Sequence, residues 1–328
     1  MEKTTLSVLI SNYNHAHYIA NALEAILSQS YRPIEVVIID DASTDNSVEV
    51  IQQFVERDPI VRLIRNERNM GNVYNVNKFL QLMQGDYIYP ASSDDQVLPG
   101  FFEKSMSLIE QYPQAGLCST DCFFLIENTG EMIEGKMPRV NEQGYVSSSE
   151  FVKYMRRHFY PPIAYGSVIM KRAVFIEAGG FIPELKWSAD LFIVLVIAFR
   201  YGICYLPEPL MIFRIRENAF SSGYRRWPQQ RRVMLNMIKL VEAPAYQDVR
   251  PMFRQTSHLS YLPWQVLRVA ASSPKYWGYI SPTLLKYTLW AKIWMAIAKI
   301  APFPTKTMYR CLRDWYWKKL NLSSDEHT

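Results

Sequence analysis

The segment GDYIYPASSDD runs from apolar residues into small polar ones and stops on two adjacent carboxylates, Asp94 and Asp95. Three other apolar runs in the first third of the chain also give way to polar groups, at SNYN (11–14), DDASTD (40–45) and RNMGN (68–72). Carboxylates, an aromatic ring and a glycine turn recurring in this way favour one shared ligand site over four unrelated loops. Each segment alone has a plainer interpretation, since DDASTD could simply begin a helix with Asp41 or Ser43 as its N-cap.

The elements that would position these groups are βα units. Apolar, β-branched runs occur at residues 6–11, 36–40, 61–64, 87–89 and 116–119. Helical periodicity between them places Ile19, Leu23 and Ile26 on one face, and Ile51 with Val55 on another. Strands that are apolar throughout, joined by amphipathic helices, predict a mostly parallel sheet with both faces covered. Ligands bind beyond the carboxyl ends of the strands in such a sheet, which is where the polar segments would lie.

Length and charge narrow the classes of protein. With 328 residues, 49% of them hydrophobic, the chain can bury a large core as one extended domain or two smaller ones. Residues 1–110 carry a net charge of −7 and the remainder +12. The acidic first third argues against a nucleic-acid partner there, and the basic remainder suits an anionic partner such as a phosphate or a membrane surface.

Location is predicted from the N-terminus and the cysteines. The segment MEKTTLSVLI has no signal-peptide pattern and leads straight into a predicted strand, so we expect a cytoplasmic protein. The chain has no CxxC pair, and we expect its thiols to be reduced and buried. The four cysteines are Cys118, Cys122, Cys204 and Cys311. The HAH triplet at 15–17 has no third ligand in view, so no zinc site is predicted.

A family resemblance covers about residues 5–125. In order and at normal spacing, the runs VLISNYNHAHYI, EVVIIDDASTDNS, NMGN and GDYIYPASSDD resemble the nucleotide-sugar-binding half of family 2 glycosyltransferases. A second match follows, with AGGF at 178–181, WSAD at 187–190 and LPEPLMIFRIREN, and it extends the resemblance to about residue 222.

The resemblance implies a GT-A-type, Rossmann-like α/β fold, with a mostly parallel sheet covered by helices. Beyond the resemblance we expect a mainly helical C-terminal extension. It also implies a division of the chain. Residues 1–222 would form the catalytic domain, with a nucleotide-sugar-binding half (1–125) and an acceptor and catalytic half (126–222). Residues 223–328 would form a helical, basic and aromatic C-terminal region.

Roles for the donor-binding residues follow from the same resemblance. The implied nucleotide-binding residues are Ser11, Tyr13, Asn14, Asp40, Asp41, Asp94, Arg214 and Arg216. Tyr13 would stack on the base and Asp41 would accept its ring N–H, which favours a UDP-sugar. Asp94 would contact the ribose and Asp95 the metal, with both carboxylates forming the metal site. Many relatives have an acid where this chain has Ser92.

The implied cofactor is Mn²⁺ or Mg²⁺, because hard cations take oxygen ligands from one or two carboxylates and the substrate phosphates. Arg214 and Arg216 would meet the departing phosphates. Asp190 matches the family's catalytic base, which would take the proton of the acceptor hydroxyl as that oxygen attacks the anomeric carbon. Attack opposite the leaving group inverts the anomeric centre. A helix N-terminal acid is the plainer interpretation of Asp190.

The C-terminal region lies outside the resemblance. Residues 276–303 are strongly apolar and aromatic, but Lys286, Lys292 and Lys299 interrupt them, so a membrane-spanning helix is not predicted. On a helix, Thr288 and the last two lysines form a narrow polar stripe beside a broad apolar face. Residues 276–319 therefore predict peripheral membrane contact. Burial against the catalytic domain, or a homo-oligomer, explains the same pattern.

Together these features predict an inverting, metal-dependent glycosyltransferase that uses a nucleotide-diphospho-sugar donor and a saccharide or lipid-linked acceptor. A role in bacterial surface polysaccharide synthesis would place it on the cytoplasmic face of the inner membrane. The alternatives are a sugar-nucleotide nucleotidyltransferase, which would want a glycine-rich basic loop after the first strand, and a non-catalytic sugar or membrane adaptor. Loops at 128–149 and 159–165 are expected to set donor, acceptor and linkage.

Overall fold

The computed structural model describes residues 4–80, 82–135, 143–158, 163, 165–216, 219–220, 223, 226–260 and 262–300. The strands are β1 (Leu6–Asn12), β2 (Glu35–Asp40), β3 (Val61–Arg65), β4 (Tyr87–Ser92), β5 (Gln96–Val97), β6 (Leu117–Ile126), β7 (Glu131–Gly135), β8 (Gly144–Val146), β9 (Val168–Lys171) and β10 (Ile203–Ile215). The helices are α1 (Ala16–Leu27), α2 (Ser47–Arg57), α3 (Asn72–Leu80), α4 (Phe101–Gln111), α5 (Ser148–Met155), α6 (Arg172–Glu177), α7 (Ala189–Tyr201), α8 (Trp227–Val241), α9 (Arg250–Thr256), α10 (Pro263–Ala270) and α11 (Pro282–Ile300).

The strands form one sheet in the order β3-β2-β1-β4-β9-β6-β10-β5, with β7 beside β6 and β8 beside β10. Strands β1 to β4 are mutually parallel, β6 is parallel to β10, and β9 runs antiparallel between β4 and β6. The predicted α/β fold, with a largely parallel central sheet and a helical C-terminal region, is confirmed. Ser11 of β1 lies opposite Ile39 of β2 and Ser92 of β4, so these three strands end at the same edge.

Helices cover both faces of the sheet because its central strands β1 and β2 are buried on both sides. On one face, Ile19, Leu23 and Ile26 of α1 pack against β1 and β2 as predicted. On the other face lies α7, whose residues 191–199 are all buried. A helix that is apolar all round is a core helix. Truncating one of its leucines to alanine would cost about 2–5 kcal/mol.

The C-terminal helices share this core. Phe253 of α9 stacks on Phe192 of α7, with ring centroids 5.7 Å apart, and meets the edge of Phe199 at 5.2 Å. Hydrophobic contacts continue into α10 and the first turn of α11. The core is therefore continuous across residue 222, the predicted domain boundary, which stays a prediction.

The structure also bears on the predictions for the cysteines and for the C-terminal region. Cys118, Cys122 and Cys204 are buried free thiols, as expected, whereas Cys311 lies outside the described residues. Within residues 4–300, where described, no helix is long and apolar enough to cross a membrane. The predicted polar stripe on α11 is wrong at Thr288, which is buried. The residues from 301 to 319 in the predicted membrane-contact segment lie outside the described part of the chain.

Candidate active site

The loop after β2 is built on two buried carboxylates. Asp40 accepts from Asn12 Nδ2 and from the Ser43 backbone N–H, both at 3.0 Å, and so ties the ends of β1 and β2 together. Asp41 accepts from the Met70 and Gly71 backbone N–H groups at 2.8 Å. A third bond comes from Asn66 Nδ2 at 2.7 Å. The DDASTD segment therefore stabilises both its own loop and the RNMGN turn. A segment that only capped a helix would not need the bonds to the RNMGN turn.

Tyr13 and Asn14, predicted to bind nucleotide, have different environments. Tyr13 is 43% exposed, which leaves its ring open for stacking. Asn14 has a left-handed backbone, with φ of 54°, which asparagine tolerates better than most residues. Its Oδ1 accepts from the Thr44 backbone N–H at 2.7 Å, so this side chain holds the loop after β2. The predicted Ser11 accepts from Asn75 Nδ2 at 3.0 Å.

The carboxylate pair follows β4 and meets the basic strand β10. Arg216 Nη2 donates to Asp94 Oδ2 at 2.5 Å, and Arg214 Nε donates to the Asp94 carbonyl at 3.1 Å. The Arg214 backbone N–H donates to Asp95 Oδ1 at 2.8 Å. The structure thus brings together four predicted site residues that are about 120 positions apart in the chain.

The two carboxylates differ in environment. Asp95 is buried, and Asp94 is partly exposed beside its arginine partner. Burial, reinforced by the Asp94 charge, raises the pKa of Asp95 to about 8. The backbone N–H of Arg214 opposes that shift without overcoming it. An extra positive charge near the pair would favour the ionised form of Asp95.

Three further residues complete this cluster, and sequence reasoning missed their role. Tyr18 lies beneath both guanidinium groups, which are 4.8 Å (Arg214) and 5.4 Å (Arg216) from its ring centroid. Its hydroxyl donates to Glu127, and this bond raises the pKa of Tyr18. His15 contacts Arg216 Nη2 through Nε2 at 2.9 Å.

The protonation state of His15 follows from these contacts. Arginine has only donors, so Nε2 must accept and the proton of the neutral ring must sit on Nδ1. Nδ1 lies 2.6 Å from Ser93 Oγ, which accepts the hydrogen bond from this N–H. Burial lowers the pKa of His15, with Arg216 adding to the effect against the opposing Asp94 charge. His15 therefore supports the arginine beside the carboxylate pair.

Asp190 lies in the first turn of α7, and its contacts are separate from those of the carboxylate pair. The preceding turn contains Lys186 at φ 49°, and Asp190 Oδ1 accepts from the Leu191 backbone N–H at 2.6 Å. Burial raises the pKa of Asp190 to about 6. Trp187, in the same turn, donates from Nε1 to the buried Gln230 of α8 at 2.6 Å. The C-terminal helical region thus anchors the segment that carries the predicted base.

One asparagine joins this segment to the donor side. Asn77 of α3 donates to the Phe181 carbonyl at 2.5 Å and accepts from the Phe181 backbone N–H at 2.9 Å. Helix α3 begins directly after the glycine turn that Asp41 holds. A continuous set of contacts therefore runs from the DDASTD segment to the AGGF segment that precedes Asp190.

The residues at the end of β4 fit a divalent cation. Asp94 and Asp95 offer adjacent carboxylates, and burial together with the Asp94 charge raises the pKa of Asp95. Among the described residues no group of three or more His, Cys, Asp or Glu could hold a metal ion. Two carboxylates completed by substrate phosphates are a donor set typical of Mg²⁺.

Comparisons with known proteins identify relatives of this chain by sequence and by fold. Residues 7–156 match the model of glycosyl transferase family 2, and the resemblance predicted from the sequence is confirmed over this part of the chain. It is 26% identical to an uncharacterised glycosyltransferase of Methanocaldococcus jannaschii over 226 residues, which cover 67% of this chain and 75% of that protein.

Solved structures share the fold. The crystal structure of Staphylococcus aureus TarS 1-349 superposes with a TM-score of 0.57 at 16% identity, covering 87% of this chain and 89% of that one. The mannosyltransferase PcManGT of Pyrobaculum calidifontis, solved in complex with GDP-Man and Mn²⁺, gives a TM-score of 0.58 at 20% identity. That match covers 99% of this chain and 89% of PcManGT.

Proposed function

We propose that this glycosyltransferase is inverting and metal-dependent, and that it transfers a sugar from a nucleotide-diphospho-sugar to a saccharide or lipid-linked acceptor. The observation that carries the proposal is the contact of the Asp94–Asp95 pair with Arg214 and Arg216 at the carboxyl edge of the sheet. Acids and cations placed together there suit a ligand that brings both a metal ion and a diphosphate.

The arginines are arranged for phosphate. Arg216 Nε is buried and has no hydrogen-bond partner among the described residues, although its Nη2 contacts both Asp94 and His15. An unpaired guanidinium donor is costly unless a ligand supplies an acceptor. A diphosphate oxygen would satisfy it with a charge-assisted bond. In this proposal Arg214 and Arg216 stabilise the negative charge that develops on the leaving nucleotide.

The metal would be Mn²⁺ or Mg²⁺, held by Asp95 and Asp94 together with the diphosphate. When bound, such an ion neutralises charge on the phosphates as the glycosidic bond breaks. Asp94 is assigned the ribose contact and Asp95 the metal.

The nucleoside is assigned to the loops around β1 and β2. Tyr13 has the exposure that stacking on a base requires. Asp41 already accepts three bonds, and a carboxylate has about four acceptor sites, so one remains for a ring N–H. UDP is the favoured nucleotide. One TarS structure is a complex with UDP-GlcNAc, whereas PcManGT was solved with GDP-Man, so the choice of base needs a direct test.

Asp190 would act as the base toward the acceptor. Its pKa of about 6 keeps it ionised at neutral pH and brings it close to the value at which proton transfer is efficient. A base on the face opposite the diphosphate implies inversion at the anomeric carbon. We place the enzyme in the cytoplasm, peripheral to the inner membrane, in bacterial surface polysaccharide synthesis.

The test is a screen of nucleotide sugars for thermal stabilisation, each with and without Mn²⁺. A ligand that binds only the folded state at a hundredfold excess over Kd adds about 2.7 kcal/mol, which raises Tm by several degrees. We expect one UDP-sugar to do so only when Mn²⁺ is present. Stabilisation by no nucleotide sugar would contradict the donor assignment, and stabilisation independent of the metal would contradict the metal site.

A further inference from the structure

Helix α11 presents an apolar ridge to solvent. The ridge consists of Leu285, Leu289 and Ile293, which are 48%, 59% and 38% exposed. Their spacing of four residues places them along one line of the helix. The opposite side of α11 is buried through Leu284 and Thr288. Because the inner face already packs on the core, the ridge is a second apolar surface that core packing does not explain.

Lysines flank the ridge on both sides. Successive helical residues are about 100° apart, so Lys292 and Lys286 lie about 60° to either side of Leu289. Both lysines are exposed. Trp277, in the turn just before α11, is 59% exposed and follows Lys275 in the chain. Apolar side chains with a lysine on either side match the interfacial helices that lie in a lipid headgroup layer.

Charge around the ridge has a single sign. Residues 249–313 contain ten Lys and Arg and no Asp or Glu. The preceding acids, Glu242 and Asp248, pair with arginines: Glu242 with Arg254, and Asp248 with Arg200. The segment that contains the ridge therefore has no acidic residue, and an anionic partner would complement its lysines.

We propose that the α11 ridge docks on an anionic lipid surface, where the leucines enter the headgroup layer and the lysines pair with lipid phosphates. A second copy of the chain fits poorly, because a symmetric contact would set the same lysines against each other. The segment after residue 300 fits poorly too, since residues 301–320 carry five Lys or Arg and one acid. Each lysine near such a membrane contributes favourably by electrostatics.

The position of α11 connects membrane docking with acceptor binding, an argument that rests on the proposed lipid-linked acceptor. Thr283, in its first turn, donates from Oγ1 to the Arg156 carbonyl at the end of α5. Burial, and next the charge of Lys286, lower the pKa of His158, which follows α5. Residues 159–165, the segment predicted to set acceptor specificity, come next in the sequence. Docking through α11 would bring the end of α5, at Arg156 and His158, toward the membrane surface.

The experiment uses the full chain and two kinds of vesicle, phosphatidylcholine alone and phosphatidylcholine mixed with phosphatidylglycerol. We expect the protein to sediment with the anionic vesicles only. Raising the salt from about 0.1 M to about 1 M shortens the Debye length from about 10 Å to about 3 Å and should release most of it. Lys286→Ala with Lys292→Ala should weaken binding about fivefold per lysine.

The apolar contribution is tested separately. Leu285→Ser with Leu289→Ser should weaken vesicle binding at least about tenfold. The matched control is Met132→Ser with Ile176→Ser, which removes two side chains of similar exposure, 52% and 49%, elsewhere on the surface and should leave binding unchanged. Melting temperature of each variant shows whether it folds.

Three results would overturn the proposal. They are a wild-type protein that never sediments with anionic vesicles, ridge variants that sediment like wild type, and a dimer in light scattering that the leucine variant dissociates. Nucleotide-induced stabilisation, measured without lipid on the same preparations, keeps this test separate from that of the donor site. Loss of vesicle binding with intact nucleotide binding would count against the ridge alone.

Discussion

Asp190→Asn separates catalysis from folding, because the structure predicts opposite effects on the two. Asparagine keeps the Oδ1 that accepts from Leu191, so the first turn of α7 should be retained. As the proposed base, however, Asp190 supplies proton transfer, and its loss should reduce transfer by about 10²- to 10⁴-fold. Donor and metal binding should persist, since the residues assigned to them belong to other elements.

The effect on stability can be worked out from the pKa. Burial raises the pKa of Asp190 from 3.8 to about 6 in the folded state. Below about pH 4 both states are protonated and the charge costs nothing. Between pH 4 and 6 only the unfolded state releases its proton, so the free energy of unfolding falls with pH. Above pH 6 the full cost remains, at about 1.4 kcal/mol per pKa unit, or ~3 kcal/mol as an upper limit for a side chain that is not completely buried.

We therefore expect Asp190→Asn to match wild type in stability near pH 4 and to be more stable, by up to ~3 kcal/mol, at pH 8. Wild-type kcat/KM should fall about tenfold per pH unit below pH 6, where the base is protonated. Chemical denaturation at both pH values, and UDP release with an acceptor, measure these effects. Glu184→Gln, an exposed neighbour in the same segment, is the control. A variant with near-normal transfer, or one less stable than wild type at pH 8, would refute the reasoning.

Two other substitutions test the donor side. Asp95→Asn should abolish Mn²⁺-dependent UDP binding in calorimetry, whereas Asp94→Asn should weaken UDP binding with or without the metal; the reverse pattern would exchange the two assignments. Asp41→Asn places an amide N–H₂ against N–H groups of the RNMGN turn and should lower the free energy of unfolding by about 1–3 kcal/mol in urea. The exposed Glu49→Gln on the neighbouring α2 should leave stability unchanged, and an Asp41→Asn protein as stable as wild type would mean that this carboxylate does not hold the turn.

The first half of the fold could be predicted because β1 and β2 are almost wholly buried apolar runs, β4 begins as one, and β3 keeps three apolar residues. The predicted positions of β1 to β4 therefore agree with the structure to within a few residues. The second half carries no such pattern. Strands β7 and β8 lie inside 128–149, a segment predicted as a loop. Strand β7 is mostly exposed and has only two apolar residues, between two glutamates, and β8 has only three residues. Strand β7 forms a hairpin with β6, whereas β8 pairs with β10, which is distant in sequence.

The candidate site shows the same division. Residues at strand ends could be predicted, since parallel strands deliver them to one edge by topology alone. His15, Tyr18 and Glu127 could not, because their roles depend on contacts with Arg214 and Arg216 from a strand about 200 residues after β1. The HAH triplet drew attention only as a metal motif. The sequence does show a strand with two arginines and, far from it, a histidine. Nothing in their spacing indicates that Arg216 and His15 are in contact.

A glycosyl transfer needs the donor-binding loops and the catalytic base held in fixed positions relative to each other. Contacts through α3 connect these two parts of the chain. Asp41 holds the turn before α3, and Asn77 of α3 makes two bonds to Phe181 in the segment leading to Asp190. The Asp41 and Asn77 side chains both bond to backbone groups, at Gly71 and at Phe181. A shift of α3 would therefore displace the glycine turn and the Phe181 backbone together. On the far side Gln230 fixes Trp187. The predicted base is thus positioned between the donor loops and the C-terminal helices, and the geometry of transfer depends on all three.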